Sequence, residues 1–151
     1  MSSVDYFNLA VDCSSKYTGL NRGLVSQYFM HILVFDFLIC NGDRHLSNIE
    51  FIYNEYTNTW RLSPIFDNGD SFFGKDGSLT NSQMEQEFRR LKMKPFSSNP
   101  YKNLIDLGEA KKIALWFKGN IESVYGSING LPINDAHKKV IKTQFERLLN
   151  R

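Results

Sequence analysis

What this chain has little of narrows the field before any motif is considered. It has only two cysteines in 151 residues, Cys13 and Cys40, which is too few for a disulfide framework, and they are far from metal-ligand spacing. The opening residues Met1 to Val4 show neither a basic nor an apolar signal segment, so reduced thiols in a cytoplasm are the expectation. Long apolar runs are lacking too. The most apolar stretch, Tyr28 to Cys40, is broken by His31 and Asp36 and falls short of the roughly 20 residues of a membrane span, which excludes a membrane partner and leaves a buried helix. Neither sign of charge is in excess. Eighteen Lys and Arg against 16 Asp and Glu leave +2, too near balance for an electrostatic nucleic-acid binder. Internal repeats, low-complexity tracts and linkers are also lacking, so residues 1–151 read as a single domain. A hydrophobic share of 42% excludes disorder and provides for a core.

What is present is mostly helical in pattern. The first twenty residues suggest a short helix and a turn at Gly19. From Leu24 to Ile39 apolar residues fall at helical spacing and also fill the opposite face, which predicts a helix surrounded on most sides and stopped by Asn41-Gly42, a pair suited to positive φ. Ile49 to Tyr53 and Trp60 to Ile65 read as two strands of a hairpin turned through residues 54–58. A Gly- and Ser-rich loop follows through Gly74, Gly77 and Ser78. Helical patterns then run from Asn81 to Leu91, from Glu109 to Lys118 closed by Gly119, and briefly from Ile121 to Tyr125, with an irregular stretch at Pro95 and Pro100. The last helix is the clearest, with Asn134 as its cap and Val140, Ile141, Phe145, Leu148 and Leu149 as its apolar stripe. The fold class expected is α+β, mostly helical with one small β-hairpin.

The residues that ask for a chemical explanation lie between Asn41 and Gly69. Phosphoryl transfer needs a carboxylate to orient and deprotonate the acceptor hydroxyl, and hard oxygen ligands to hold magnesium on the ATP phosphates. An Asp followed five residues later by an Asn, with a further Asp across a hairpin, meets those needs. Spacing alone is weak. Nine Asp and 14 Asn give about one chance Asp-x-x-x-x-Asn match in a chain of this length, and three occur, at Asp36–Asn41, Asp43–Asn48 and Asp76–Asn81. Context selects the second. Asp36 lies inside the apolar helix and faces packing, and Asp76 sits in a loop with no following strand. Asp43 follows a buried helix, has Arg44 and His45 beside it, and precedes a hairpin whose outer ends must converge, making neighbours of Asn48 and Asp67.

Asn41-Gly42-Asp43-Arg44-His45 with Asn48, and then Leu62-Ser63-Pro64-Ile65-Phe66-Asp67, resembles the catalytic loop and metal-binding Asp of HipA-like serine/threonine kinases, whose pattern runs Asn-x-Asp-x-His-x-x-Asn and later Leu-x-Pro-x-Tyr-Asp. The resemblance covers about a third of the chain. It implies a protein-kinase-like C-terminal lobe, ATP and Mg2+ as cofactors, and a protein substrate phosphorylated on Ser or Thr. Asp43 would be the base, Asn48 and Asp67 the ligands of magnesium and its nucleotide, and His45 an organiser of the loop. Phe66 stands where the family commonly has Tyr. A weaker similarity links Asp43-Arg44-His45 and Asn48-Ile49 to phosphoinositide kinases. These close the hairpin with Asp-Phe-Gly where this chain has Asp67-Asn68-Gly69, and they give the base role to the residue at the place of His45. The Leu-x-Pro-x-aromatic-Asp strand favours the first family.

A complete kinase also covers its nucleotide with a Gly-rich loop and a strand Lys. Of the residues before Asp43, Lys16 is the sole Lys, and Gly19 and Gly23 form no phosphate loop. The expectation is therefore a C-terminal lobe alone: an excised piece, a truncated product or half of a split enzyme, inactive without an N-terminal lobe in cis or trans. The alternative is a non-catalytic interaction module that binds an antitoxin-like partner or a second copy through an apolar face near the catalytic loop. Among the other polar residues, His31 reads as a hydrogen-bonded core histidine and His137 as an exposed one. Arg89, Arg90, Lys92 and Lys94 read as a solvated basic face with Phe88 and Leu91 turned inward, rather than a direct nucleic-acid site.

Overall fold

The computed structural model describes residues 2–69, 71, 80–92, 94–96 and 108–150. The Gly74, Gly77 and Ser78 loop, Asp76 and Pro100 lie outside the described residues. The chain is mostly helical, with a two-stranded antiparallel sheet.

Helix α1 (Ser3–Thr18) begins where Ser2 and Asp5 cap each other. The Ser2 hydroxyl accepts the Asp5 N–H at 3.1 Å, and the Asp5 carboxylate accepts the Ser2 N–H at 2.8 Å. It ends at Gly19, whose φ of +71° suits a residue without Cβ. At 16 residues it is longer than the short helix expected from its mixed pattern.

Helix α2 (Arg22–Ile39) is capped by the Asn21 side chain, which accepts the N–H groups of Gly23 and Leu24. Ten of its residues are buried, and it packs against helices on several sides. Its length and composition would allow a membrane crossing, yet more than half of it is enclosed by the rest of the chain. One stripe remains uncovered, formed by Leu24, Gln27, His31 and Phe35. This corrects the reading of His31 as a core histidine: it is exposed, one turn from Gln27 and one from Phe35, on a line that no other element covers among the described residues.

The end of α2 also departs from expectation. The positive φ falls on Cys40, at +56°, and not on Asn41-Gly42. The Cys40 N–H reaches the Phe37 carbonyl at 3.3 Å and the Asn41 N–H reaches the Asp36 carbonyl at 2.8 Å. This is the pattern that closes a helix through a left-handed residue, here one with a side chain. The hairpin pairs β1 (Phe51–Asn54) with β2 (Thr59–Leu62), Phe51 opposite Leu62 and Asn54 opposite Thr59. Both strands are shorter at the outer end than predicted. The Ile49 N–H closes a 3-10 turn onto Leu46 at 3.1 Å, and beyond the Ser63 N–H bond to Glu50 at 3.3 Å comes Pro64, which has no N–H to pair.

Among the described residues four further helices follow: α3 (Asn81–Arg90), α4 (Gly108–Gly119), α5 (Ile121–Gly130) and α6 (Asp135–Leu149). Thr80 caps α3, and Asn134 caps α6 by accepting the His137 N–H at 2.8 Å. His137 is half-buried rather than exposed, because it sits in that first turn beside Val140. The core gathers Phe7 and Val11 from α1, most of α2, Met84, Phe88, Ala110, Ala114 and Ile128, and Val140, Ile141 and Phe145 from α6. Arg147 of α6 holds α3 in place: its guanidinium lies 4.1 Å from the Phe88 ring centre and pairs with Glu85. Phe96 is buried between Phe7 and Phe29, at ring-centre distances of 5.2 and 5.1 Å, and so fixes the segment that follows α3.

The two thiols differ in kind. Cys13 is exposed, whereas Cys40 is fully buried and its thiol is pushed far up by desolvation. A disulfide-exchange reagent added to the native protein is expected to titrate one thiol per chain and the second only in denaturant. Two rapid thiols would show that the end of α2 opens in solution.

Candidate active site

The site is built outward from one loop arginine. Arg44 lies in the polar turn after α2, where an Arg would ordinarily extend into water, but it is only 1% exposed. Its Nε donates to Asp36 Oδ2 at 2.8 Å and its Nη2 to Asp36 Oδ1 at 2.7 Å, a forked pair with both side chains fully enclosed. Asn41 Nδ2 adds a third donor to Asp36 Oδ1 at 3.0 Å. The other side of the guanidinium serves the hairpin exit. Nη1 donates to the Phe66 carbonyl at 2.5 Å and Nη2 to Asn68 Oδ1 at 2.6 Å, so Arg44 grips the residues on either side of Asp67. Burial pushes the Asp36 carboxyl upward, and the hydrogen bonds and charge of Arg44, with the Asn41 amide, pull against that shift.

The four residues singled out by sequence all border this arrangement. Asn48 closes the Leu46–Asn48 turn and is buried, its Oδ1 accepting the His45 N–H at 3.2 Å. Its Nδ2 donates to Asp67 Oδ2, a direct contact between the two outer ends of the hairpin. Asp67 is exposed and adopts a left-handed φ of +54°, a sharp turn immediately after the β2 exit. Asp43 is exposed, with its N–H bonded to Asn41 Oδ1 at 3.1 Å and its carboxylate 3.5 Å from Lys94 Nζ. His45 is exposed at the start of the turn and joins the site through its backbone.

Sequence reasoning missed Arg44, Asn68 and Lys94. For Arg44 a signal existed: a buried carboxylate inside an apolar helix needs a cation, and the Arg eight residues on is the near one in sequence. Lys94 lies far along the chain, after α3, and no local pattern links it to Asp43. Among the described residues, no group of three or more His, Cys, Asp or Glu side chains gathers as a metal site. At the hairpin ends the Asn48 amide nitrogen meets the Asp67 carboxylate, while Asn48 Oδ1 accepts from the His45 N–H; these two side chains carry the hard oxygens of the type magnesium accepts alongside water and phosphate. Comparison with protein-family models, with curated proteins and with solved structures finds no match.

Removing one partner of a buried, fully hydrogen-bonded ion pair leaves an uncompensated charge, at a cost of about 3–5 kcal/mol. Arg44→Met is expected to lower the urea unfolding free energy by that amount, and Asp36→Leu combined with Arg44→Met to cost much less than the two single changes summed. A loss below about 1 kcal/mol for Arg44→Met would mean that the guanidinium is solvated in the native protein.

Proposed function

We propose that the chain is the C-terminal, catalytic lobe of a HipA-like serine/threonine kinase, acting in the cytoplasm and transferring the γ-phosphoryl group of ATP to a protein Ser or Thr hydroxyl. In this reading an N-terminal lobe, in cis or in trans, covers the nucleotide. The observation that supports it most is the hydrogen bond between Asn48 and Asp67, 19 residues apart in sequence, on the same loop edge as the exposed Asp43. Asn48 and Asp67 are the residues that would hold magnesium, which when bound neutralises charge on the phosphates. Asp43 accepts the proton of the acceptor hydroxyl, and Lys94 places a positive charge beside the position where the transferred group arrives. His45 holds the turn that orients Asn48.

A second reading has its own support. A recess of about 270 Å3 lined by Tyr6, Leu9, Cys13, Leu46, Ile49 and Phe51 opens between α1 and the hairpin, with Leu9 50% and Leu46 55% exposed. An apolar face beside the loop suits an interaction module that receives a second copy or an antitoxin-like partner.

Calorimetry separates the two. On the kinase reading magnesium and ATP bind, and Asn48→Ala and Asp67→Ala each abolish the heat. No binding at millimolar nucleotide, together with dimerisation lost in Leu46→Ser, favours the module. In a two-lobe enzyme, Asp43→Asn is expected to keep nucleotide binding and lower transfer by about 10²–10⁴, with His45→Gln much milder. The reverse order would favour a phosphoinositide-kinase-like lobe with His45 as base.

A further inference from the structure

The basic cluster at the end of α3 is solvated, with Phe88 and Leu91 buried beneath it, and it borders a recess. Arg90, Lys92 and Lys94 line a cavity of about 330 Å3 together with Glu87 and Leu91, and its floor is the backbone turn at Cys40 and Gly42 that leads into Asp43. That volume is at the lower end of pockets that hold a small ligand group. Three cations against one carboxylate give the wall a charge of +2, a local concentration in a chain whose net charge as a whole is only +2.

The wall is also held in place. Leu91 and Phe96 are buried on either side of Lys94, and α3 is pinned by Arg147. Two of its cations make only long ion-pair contacts. Arg90 Nη1 lies 3.4 Å from Glu87 Oε1 and Lys94 Nζ lies 3.5 Å from Asp43 Oδ1, long contacts between exposed or half-exposed side chains, which hold little energy. An anion entering the cavity gains cationic partners and displaces little.

We infer that this cavity binds an acidic side chain of the substrate protein, a few residues from the hydroxyl presented to Asp43, so that the substrate class is an acidic Ser- or Thr-containing segment. The inference builds on the kinase reading, because that reading places the hydroxyl at Asp43. The shared wall supplies the link: Lys94 faces the cavity and the Asp43 carboxylate at once.

Fluorescence polarisation with the 151-residue chain tests this without any phosphoryl transfer. The probes are a labelled peptide with one Ser flanked by Glu, the same peptide with Gln for Glu, and a single-stranded oligonucleotide. The acidic peptide is expected to bind at least about tenfold tighter than the Gln peptide and to weaken with added salt. Lys92→Glu should weaken it about tenfold or more at an unchanged melting temperature, since Lys92 is exposed. Arg90→Gln with Lys92→Gln keeps the test open if the charge reversal perturbs folding. Equal binding of both peptides, no effect of either variant, or an oligonucleotide that binds tighter through the same residues would overturn the inference. Tyr56→Ser, at the far tip of the hairpin, should leave peptide binding intact. Magnesium and ATP binding without peptide preference defeats this inference alone, and peptide preference without nucleotide binding defeats the kinase reading alone.

Discussion

A carboxylate enclosed within the central helix, and the guanidinium that answers it, organise this molecule. Neither Asp36 nor Arg44 would be stable alone where they lie, because each loses its hydration completely. The burial is tolerable only because nearly every polar atom of the pair is used. Asp36 accepts from two arginine nitrogens and from Asn41, and Arg44 donates on its far side to the backbone and side chain around Asp67. The helix end, the loop and the strand exit are therefore positioned by one planar group with five donors.

This division of labour runs through the whole site. Arg44 and Asn41 are buried and hydrogen-bonded into the core, Asn48 is buried at the inner edge of the site, and Asp43, His45 and Asp67 face water at the ends of the same short segments. Groups suited to meeting a ligand are thus carried on backbone that a core element immobilises, which is how loops acquire geometric precision. The left-handed residues Cys40 and Asp67 mark the two ends of this arrangement. Each is a sharp turn where a side chain is retained, at the foot of the loop in one case and at the returning strand in the other.

Much of this was legible from the amino acids. The last helix announced itself through Asn134 and its apolar stripe, and the hairpin through two β-rich runs around a polar turn. The meeting of Asn48 with Asp67 followed from the geometry of any antiparallel pair. Other features carried no local signal. Helix α2 is apolar on nearly every face, so periodicity could not show which stripe stays uncovered, and Phe35 on that stripe disguised the exposure of His31. Helix α5 contains Gly126 and a polar run and reads as shorter than it is. The approach of Lys94 to Asp43 depends on Phe96 docking between Phe7 and Phe29, a tertiary event that spacing cannot encode.

The hairpin points its tight turn away from the site. Residues 55–58 sit at the far end of β1 and β2, and Tyr56 there is fully exposed, while the open end is clamped by Arg44 and by the Asn48–Asp67 bond. Length and composition at that tip are consequently decoupled from the constellation at the base. Evolution can lengthen or decorate it freely, and an experimenter can graft a fluorophore or an affinity handle there while the arrangement of Asp43, Asn48 and Asp67 at the other end stays undisturbed.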